Sequence, residues 1–179
     1  GTSLTENLPR IALDQSLARC LGRPVHIDII ARGGATSQWG LTQVDRVITA
    51  EPDLAFVEFT INDADLRNRL SLSASAQAHH ALLSHLRADL PDAHITLLRL
   101  NRAYGLRALL RPRQAAYDRQ LIALAKTFRV TITDLRPLWS KAGSKVLNDG
   151  LHPTPEAIKT LSLPALLAEI EQFYGASCP

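Results

Sequence analysis

Apolar residues recur along the chain at two different spacings. Apolar positions three and four residues apart predict helices over residues 6–22, 37–50, 73–90, 113–128 and 154–174. Short runs rich in Val, Ile, Leu and Phe predict strands over residues 25–31, 53–60, 94–100 and 129–135. We expect Pro164 to interrupt the last helix. Strands that alternate with helices are typical of βαβ units, so the pattern predicts a mostly parallel sheet with helices on both faces.

Four polar segments lie where such a sheet places its ligands. RGGATSQ (32–38), INDAD (61–65) and NDGLH (148–152) come after predicted strands, and GTSLTEN (1–7) opens the chain at a loop-to-helix transition. Because ligands bind beyond the carboxyl ends of parallel strands, we expect all four segments at one rim. Together they hold a nucleophile, a base, a group to orient the base, and donors for an oxyanion hole.

These segments resemble the four motif blocks of the SGNH, or GDSL-type, hydrolase family. GTSLTE resembles the first block, GGATSQ the second, TIND the third and DGLHP the fourth, in the family's order over residues 1–153. The resemblance implies a three-layer α/β/α sandwich with a flavodoxin-like sheet. It also implies a serine esterase that hydrolyses carboxylic esters through an acyl-enzyme, without a metal or an organic cofactor.

The resemblance assigns a role to each motif residue. Ser3 is the expected nucleophile, His152 the base that accepts its proton, and Asp149 the group that fixes the imidazole tautomer. The backbone amides of Ser3 and Gly34 and the side chain of Asn62 are the expected oxyanion donors. Substrate contacts are expected from neighbouring residues, namely Thr2, Gly33, Thr60, Asp63 and Tyr104.

The sequence departs from the family pattern in three places. Thr2 stands where the family has Asp, and Thr60 stands where the third block has Gly. The strand that precedes the first block in the family is missing, so we expect a gap inside the sheet unless upstream residues or another segment fills it. These departures keep two alternatives open on the same fold, an acyltransferase and an inactive binding domain.

Each motif also has an ordinary structural interpretation. Ser3 alone suits a helix cap, the glycine pair a strand-to-helix turn, and Asn62-Asp63 an Asx turn. Asp63 is as well suited to a structural hydrogen bond as to substrate, and Trp39 to the core as to the pocket wall. Four such coincidences at one predicted rim favour the enzyme.

Other polar residues are less specific. His79, His80 and His85 share a predicted helix at spacings unsuited to a metal, so we expect them on a solvated face. The segment 101–113 is the one expected to cover the site, where Arg102, Tyr104 and Arg107 are candidates to meet an anionic or sugar group.

Composition narrows the choice of function only slightly. The 179 residues predict one domain over 1–179, and the net charge of +3 comes with basic residues spread along the chain, which argues against a nucleic-acid partner. No apolar run is long enough to span a membrane. We therefore expect a soluble protein, cytoplasmic or exported. We expect Cys20 to be a buried thiol, and a pairing with Cys178 stays open.

The expected substrate is a small-molecule or carbohydrate ester with a short acyl group such as acetyl. This choice depends on a single observation, because the sequence has no long apolar stretch of the kind that lines a deep acyl tunnel. A thioesterase or a lysophospholipase is the alternative within the same class.

Overall fold

The sheet of the protein is parallel and has three strands among the residues described. The computed structural model describes residues 1–176, so Cys178 lies outside the described residues. The strands are β1 (Leu54–Val57), β2 (His94–Arg99) and β3 (Thr131–Asp134), in the spatial order β1-β2-β3. Leu54 lies opposite His94, and Thr96 lies opposite Thr131. The predicted parallel sheet between helices is confirmed.

Helices fill the segments between the strands and flank the sheet. Those before β2 are α1 (Ser3–Glu6), α2 (Arg10–Leu21), α3 (Ser37–Leu41), α4 (Val44–Thr49), α5 (Thr60–Asp63) and α6 (Leu72–Asp89). Those after β2 are α7 (Gly105–Leu109), α8 (Gln114–Phe128), α9 (Arg136–Ala142), α10 (Pro155–Ala157) and α11 (Leu163–Tyr174). Short 3₁₀ turns span Leu66–Asn68 and Ser144–Val146.

Local sequence explains where the long helices begin, break and end. The hydroxyl of Ser71 caps α6 by accepting a hydrogen bond from the Ala74 amide. The helix predicted over 6–22 begins later, as α2 at Arg10, directly after Pro9, which has no N–H to donate. The interruption expected near Pro164 takes the form of a π-helical turn, Ile158–Ser162, after which α11 continues.

Two apolar clusters hold the layers together. One cluster joins α6 and α8 to the sheet, and its fully buried members include Leu83, Leu86, Ile95 and Leu97. The other packs around Trp139 of α9 and includes Leu4, Leu98, Leu151 and Leu166. The second cluster therefore ties the opening helix α1 to the segment that carries His152. Cys20, which we expected to be buried, is only half-buried on α2.

The prediction of a strand over residues 25–31 is wrong. This segment forms no ladder, and between it and the outer edge of β1 lies an apolar cavity of about 430 Å³. We call this cavity the β1 cleft; its walls include Val25–Ile30, Leu54–Val57, Leu82 and Leu166. A strand requires a partner for its backbone groups, and nothing in the described part of the chain occupies the place between this segment and β1. The gap that we expected inside the sheet is therefore an open cleft beside its edge strand, β1.

Candidate active site

The side chain of Ser3 stands at the start of α1, on a turn that its neighbours hold firmly. The hydroxyl of Thr2 caps α1 by accepting a hydrogen bond of 3.2 Å from the Leu4 amide. Thr2 in turn donates to Glu58, through its amide at 3.0 Å and its hydroxyl at 2.6 Å. The Thr5 hydroxyl donates to the same Glu58 oxygen at 3.0 Å. Glu58 therefore anchors both sides of the turn that presents Ser3.

The turn after the second 3₁₀ segment brings His152 to this serine. The Oγ of Ser3 lies 2.9 Å from Nε2 of His152, and Nδ1 of His152 lies 3.0 and 3.1 Å from the two oxygens of Asp149. The amides of Leu151 and His152 both donate to Oδ1 of Asp149, at 3.1 and 2.8 Å. Gly150 makes the turn possible with a φ of +80°, a left-handed conformation that favours glycine.

Asp149 remains ionised because of this network. Partial burial of its carboxyl favours the neutral form, but hydrogen bonds from the backbone and side chain of His152, from Arg107 and from the Leu151 amide outweigh it. They hold the pKa of Asp149 well below its usual range. An ionised carboxylate at Nδ1 leaves Nε2 of His152 as the atom that faces the serine hydroxyl.

Three segments carry the donors that the sequence predicts for an oxyanion hole. Gly34, with a φ of +74°, lies in a turn closed by the Ala35 amide and the Arg32 carbonyl at 3.0 Å. Within residues 1–176, the amides of Ser3 and Gly34 donate to no protein acceptor. The side-chain amide of Asn62 donates one hydrogen to the Ala35 carbonyl at 3.0 Å, and its second hydrogen has no acceptor among residues 1–176.

Asp63 and His79 have structural roles, and both are buried where the sequence predicts contact with substrate or with solvent. Asp63 is fully buried; its Oδ1 accepts from the Ser37 amide at 2.8 Å and its Oδ2 from the Ser75 hydroxyl at 2.6 Å. It therefore presents nothing to a substrate. His79 is also buried, not solvated, and its ring packs edge-on against Phe59. Burial lowers the pKa of His79, although Asp63 opposes the shift, so the imidazole is neutral.

Thr2 is removed from direct substrate contact. It is completely buried, and Glu58 accepts hydrogen bonds from its amide and its hydroxyl, which contradicts the expectation that it touches substrate. Thr60 is buried to the same degree as Asn62, so substrate contact by Thr60 stays a prediction. The acidic partner of Thr2 is a residue that the sequence analysis missed. Glu58 is buried; desolvation raises its pKa, while hydrogen bonds from Thr2 and Thr5 lower it. The only sequence signal is an acidic residue directly after an apolar strand.

The remaining candidates lie around the mouth of the site. Gly33 is exposed, and a side chain added there would approach Ser3 to 4.0 Å. Tyr104 lies half-buried at the edge of the apolar cluster, and its amide donates to the Gly150 carbonyl at 2.7 Å. Trp39 packs against the core at Phe59. Arg107 contacts Asp149, whereas Arg102 is exposed. Substrate contact by Gly33 and Tyr104 stays a prediction.

The described residues lack two further features. Across residues 1–176, no group of three His, Cys, Asp or Glu side chains is arranged to hold a metal ion. In the same residues, no helix combines the length and apolar character that crossing a bilayer requires. The β1 cleft is lined by Gly1 and Thr5 but not by Ser3, Asn62 or His152, so it is separate from the candidate site.

An open parallel sheet between helices, with a serine, a histidine and an aspartate at its rim, is typical of ester-bond hydrolases. The chain belongs to the GDSL-like lipase/acylhydrolase family, whose model matches residues 1–158. The predicted family is thereby confirmed. No curated protein matches the sequence.

Solved structures share the fold at low sequence identity. A lipase/acylhydrolase from Enterococcus faecalis is 17% identical, with a TM-score of 0.81 over 100% of this chain and 95% of that chain. TesA is 21% identical, with a TM-score of 0.73 over 96% of each chain. A mutant of Axe2, an acetylxylan esterase from Geobacillus stearothermophilus, is 19% identical, with a TM-score of 0.70 over 89% and 78%. At these identities the likeness establishes the fold, and with the family it supports an ester-bond hydrolase.

Proposed function

We propose that the protein is a serine esterase that forms an acyl-enzyme on Ser3. The observation that carries this proposal is the contact of 2.9 Å between Oγ of Ser3 and Nε2 of His152, with Asp149 at the other ring nitrogen. His152 takes the hydroxyl proton as Oγ attacks the ester carbonyl, and it then gives that proton to the leaving alcohol. A water activated by His152 hydrolyses the acyl-enzyme and regenerates Ser3.

The oxyanion of each tetrahedral intermediate is held by three donors in this mechanism. They are the amides of Ser3 and Gly34, which donate to no protein acceptor within the described residues, and the free hydrogen on the Asn62 side chain. Fixed donors stabilise the developing charge without reorganising when the reaction occurs. The link between Asn62 and the Ala35 carbonyl supports this role because it fixes the direction of the amide.

The proposed substrate is a short-chain ester, such as an acetyl ester of a carbohydrate or another small molecule. Axe2, an acetylxylan esterase that shares the fold, provides a precedent for this class. A thioesterase or lysophospholipase with a longer acyl group is the second candidate. It is favoured by Leu106 and Leu109 on α7, which are 79% and 72% exposed beside the residue that contacts Asp149.

A fluorophosphonate probe tests the proposed nucleophile. We expect the probe to label the protein at Ser3 and the label to disappear in Ser3→Ala. It should persist in Ser73→Ala, which removes an exposed serine hydroxyl from α6. A folded protein that takes no label would contradict the esterase and leave the inactive binding domain. Acyl transfer to an added sugar that exceeds hydrolysis would identify the acyltransferase.

Nitrophenyl esters of increasing acyl length test the proposed substrate class. The short-acyl proposal predicts that kcat/KM is highest for acetate and falls with each added pair of methylenes. A rise toward octanoate, which Leu106→Ser and Leu109→Ser together abolish, would instead support the thioesterase or lysophospholipase. A double variant on another surface, Leu66→Ser with Leu138→Ser, is the matched control, because both of these leucines are exposed.

A further inference from the structure

The turn that carries Asp149 is covered by helix α7. The amide of Tyr104 donates to the Gly150 carbonyl at 2.7 Å, immediately before α7 begins. A Cβ added to Gly150 would lie 2.6 Å from the Tyr104 carbonyl oxygen and 3.8 Å from Cγ of Arg107. The aliphatic part of the Arg107 side chain therefore rests on the turn itself.

The guanidinium of Arg107 reaches past Gly150 to the carboxylate of Asp149. It donates to Oδ2, the same oxygen that lies 3.0 Å from Nδ1 of His152. Oδ1 is occupied by the amides of Leu151 and His152. Asp149 is thus shared between a permanent cation and the imidazole, in contrast to a carboxylate that serves the histidine alone.

Two other charged groups lie near the Asp149–His152 pair: Arg111, whose charge also acts on Asp149, and Glu6 of α1, on the side of Ser3. Arg111, the next cation along the segment, is buried and pairs with Asp65 at 2.7 Å. Its remaining donors go to the carbonyls of Ile61 and Arg107. The half-buried Tyr104 is the remaining titratable side chain of this segment at the turn. Arg107 is therefore the cation that hydrogen-bonds Asp149, whereas Arg111 acts on this carboxylate through space.

We infer that Arg107 is a positioning residue that weakens the attraction between Asp149 and the protonated form of His152, so that the base stays neutral at lower pH. This inference depends on the proposed esterase mechanism, in which neutral His152 accepts the serine proton. A carboxylate stabilises an adjacent imidazolium, and a guanidinium on the same carboxylate reduces that stabilisation. The pair is half-exposed, so its effect on folding is small and its main effect is on the base.

Arg107→Gln tests the inference through the pH dependence of kcat/KM. Removing the cation strengthens the pull of Asp149 on the imidazolium, so the acid limb moves to higher pH. We expect a move on the order of half a unit to one unit, which lowers kcat/KM about three- to tenfold on the acid side. Concentrated salt should reduce the difference, because part of the interaction is screened.

Two variants test whether the effect comes from the positive charge at position 107. Arg107→Lys changes the side chain but keeps the charge, and Arg113→Gln makes the same change in net charge elsewhere. Arg107→Lys keeps the cation, so its acid limb should stay near that of the unaltered protein. Arg113→Gln removes an exposed cation from the same segment that has no contact with Asp149, and its acid limb should not move. The inference is overturned if the acid limb of Arg107→Gln is unmoved, or if Arg113→Gln moves it equally.

A measurement that needs no turnover distinguishes this inference from the proposed function. The ring protons of His152 can be followed by NMR against pH in the unaltered protein and in Arg107→Gln. A higher titration midpoint in the variant supports the role of Arg107 even if no ester is hydrolysed. Equal midpoints overturn that role even if the fluorophosphonate probe labels Ser3.

Discussion

The carboxyl end of strand β1 and its outer edge are organised in opposite ways. Where β1 ends, the chain continues to the rim of the sheet. Glu58 accepts three hydrogen bonds there. Asp149 contacts backbone amides, the His152 imidazole and the Arg107 guanidinium. Along its outer edge, β1 faces the apolar β1 cleft, and no strand formed by residues 1–176 lies beside it. The rim geometry is thus fixed by polar cross-links from distant parts of the chain.

This difference implies that activity and stability depend on separate regions. The polar links at the rim connect residues far apart in sequence, such as Ser3 with His152 and Ser37 with Asp63. They set positions that chemistry needs, and one hydrogen bond contributes only about 1 kcal/mol to folding. The apolar walls of the cleft remain incompletely filled, so this side of the sheet is where stability is weakest.

The sharpest test of the comparison is Asn62→Ala. If Asn62 supplies an oxyanion donor, its loss should reduce kcat by about 10²–10³-fold. The loss leaves the buried Ala35 carbonyl without its donor, which should lower the free energy of unfolding by about 1–3 kcal/mol. Steady-state kinetics and urea titration measure the two effects. Asn7→Ala, on an exposed asparagine at the end of α1, is the control. A kcat within threefold of the unaltered protein would remove Asn62 from the site.

A pair of glycine substitutions gives an intermediate effect. Gly150→Ala and Gly22→Ala both place a side chain on a left-handed backbone, at φ values of +80° and +62°. Each should cost about 1 kcal/mol of stability from this strain alone. Gly150→Ala also forces its Cβ against the Tyr104 carbonyl, whereas the space around Gly22 is open.

Only the substitution at the rim should therefore disable the enzyme. Displacement of Asp149 and His152 by a fraction of an ångström to one ångström should lower kcat by up to about 10²-fold in Gly150→Ala. Thermal unfolding and ester hydrolysis measured on both variants check this. Equal activity in the two variants would mean that the turn tolerates the shift, which would refute the idea of a rigid rim.

Hydrogen exchange within β1 provides the smallest and most local test. The His94 amide donates to the Asp53 carbonyl at 2.8 Å, and the alternation of parallel pairing then directs the Ala55 and Val57 amides toward β2. The amides of Leu54 and Phe56 face the β1 cleft. We expect these two to exchange faster than Ala55 and Val57 in NMR or mass spectrometry. Equal protection would show that the outer edge of β1 is covered.

The sequence predicts best what depends on neighbours along the chain. The periodicity of α6 and α8 and the apolar runs of β2 and β3 are local, so their positions agree with the structure to within one or two residues. The segment 25–31 has the composition of a strand, but a strand also needs a partner, and that condition is not local. The same argument explains Pro164, whose effect on its own helix was predicted.

The residues of the site show the same distinction between local features and contacts with distant parts of the chain. The resemblance to the four motif blocks implies roles for Ser3, Gly34, Asn62, Asp149 and His152. The structure brings Ser3, His152 and Asp149 into contact, although their catalytic roles stay predictions. The contacts of Glu58 with Thr2 and of Arg107 with Asp149 join residues 56 and 42 positions apart. No spacing rule connects such positions, so only the fold reveals them.

Helix α5 has a practical consequence for anyone who re-engineers this enzyme. Asn62 donates a hydrogen bond to the Ala35 carbonyl, and the adjacent Asp63 accepts one from the Ser37 amide in the same short loop. A loop transplanted from a relative into 32–38 would lose both attachments unless it preserved this backbone. Helix α5 and residues 32–38 should therefore be exchanged together, and libraries that diversify substrate preference should vary both.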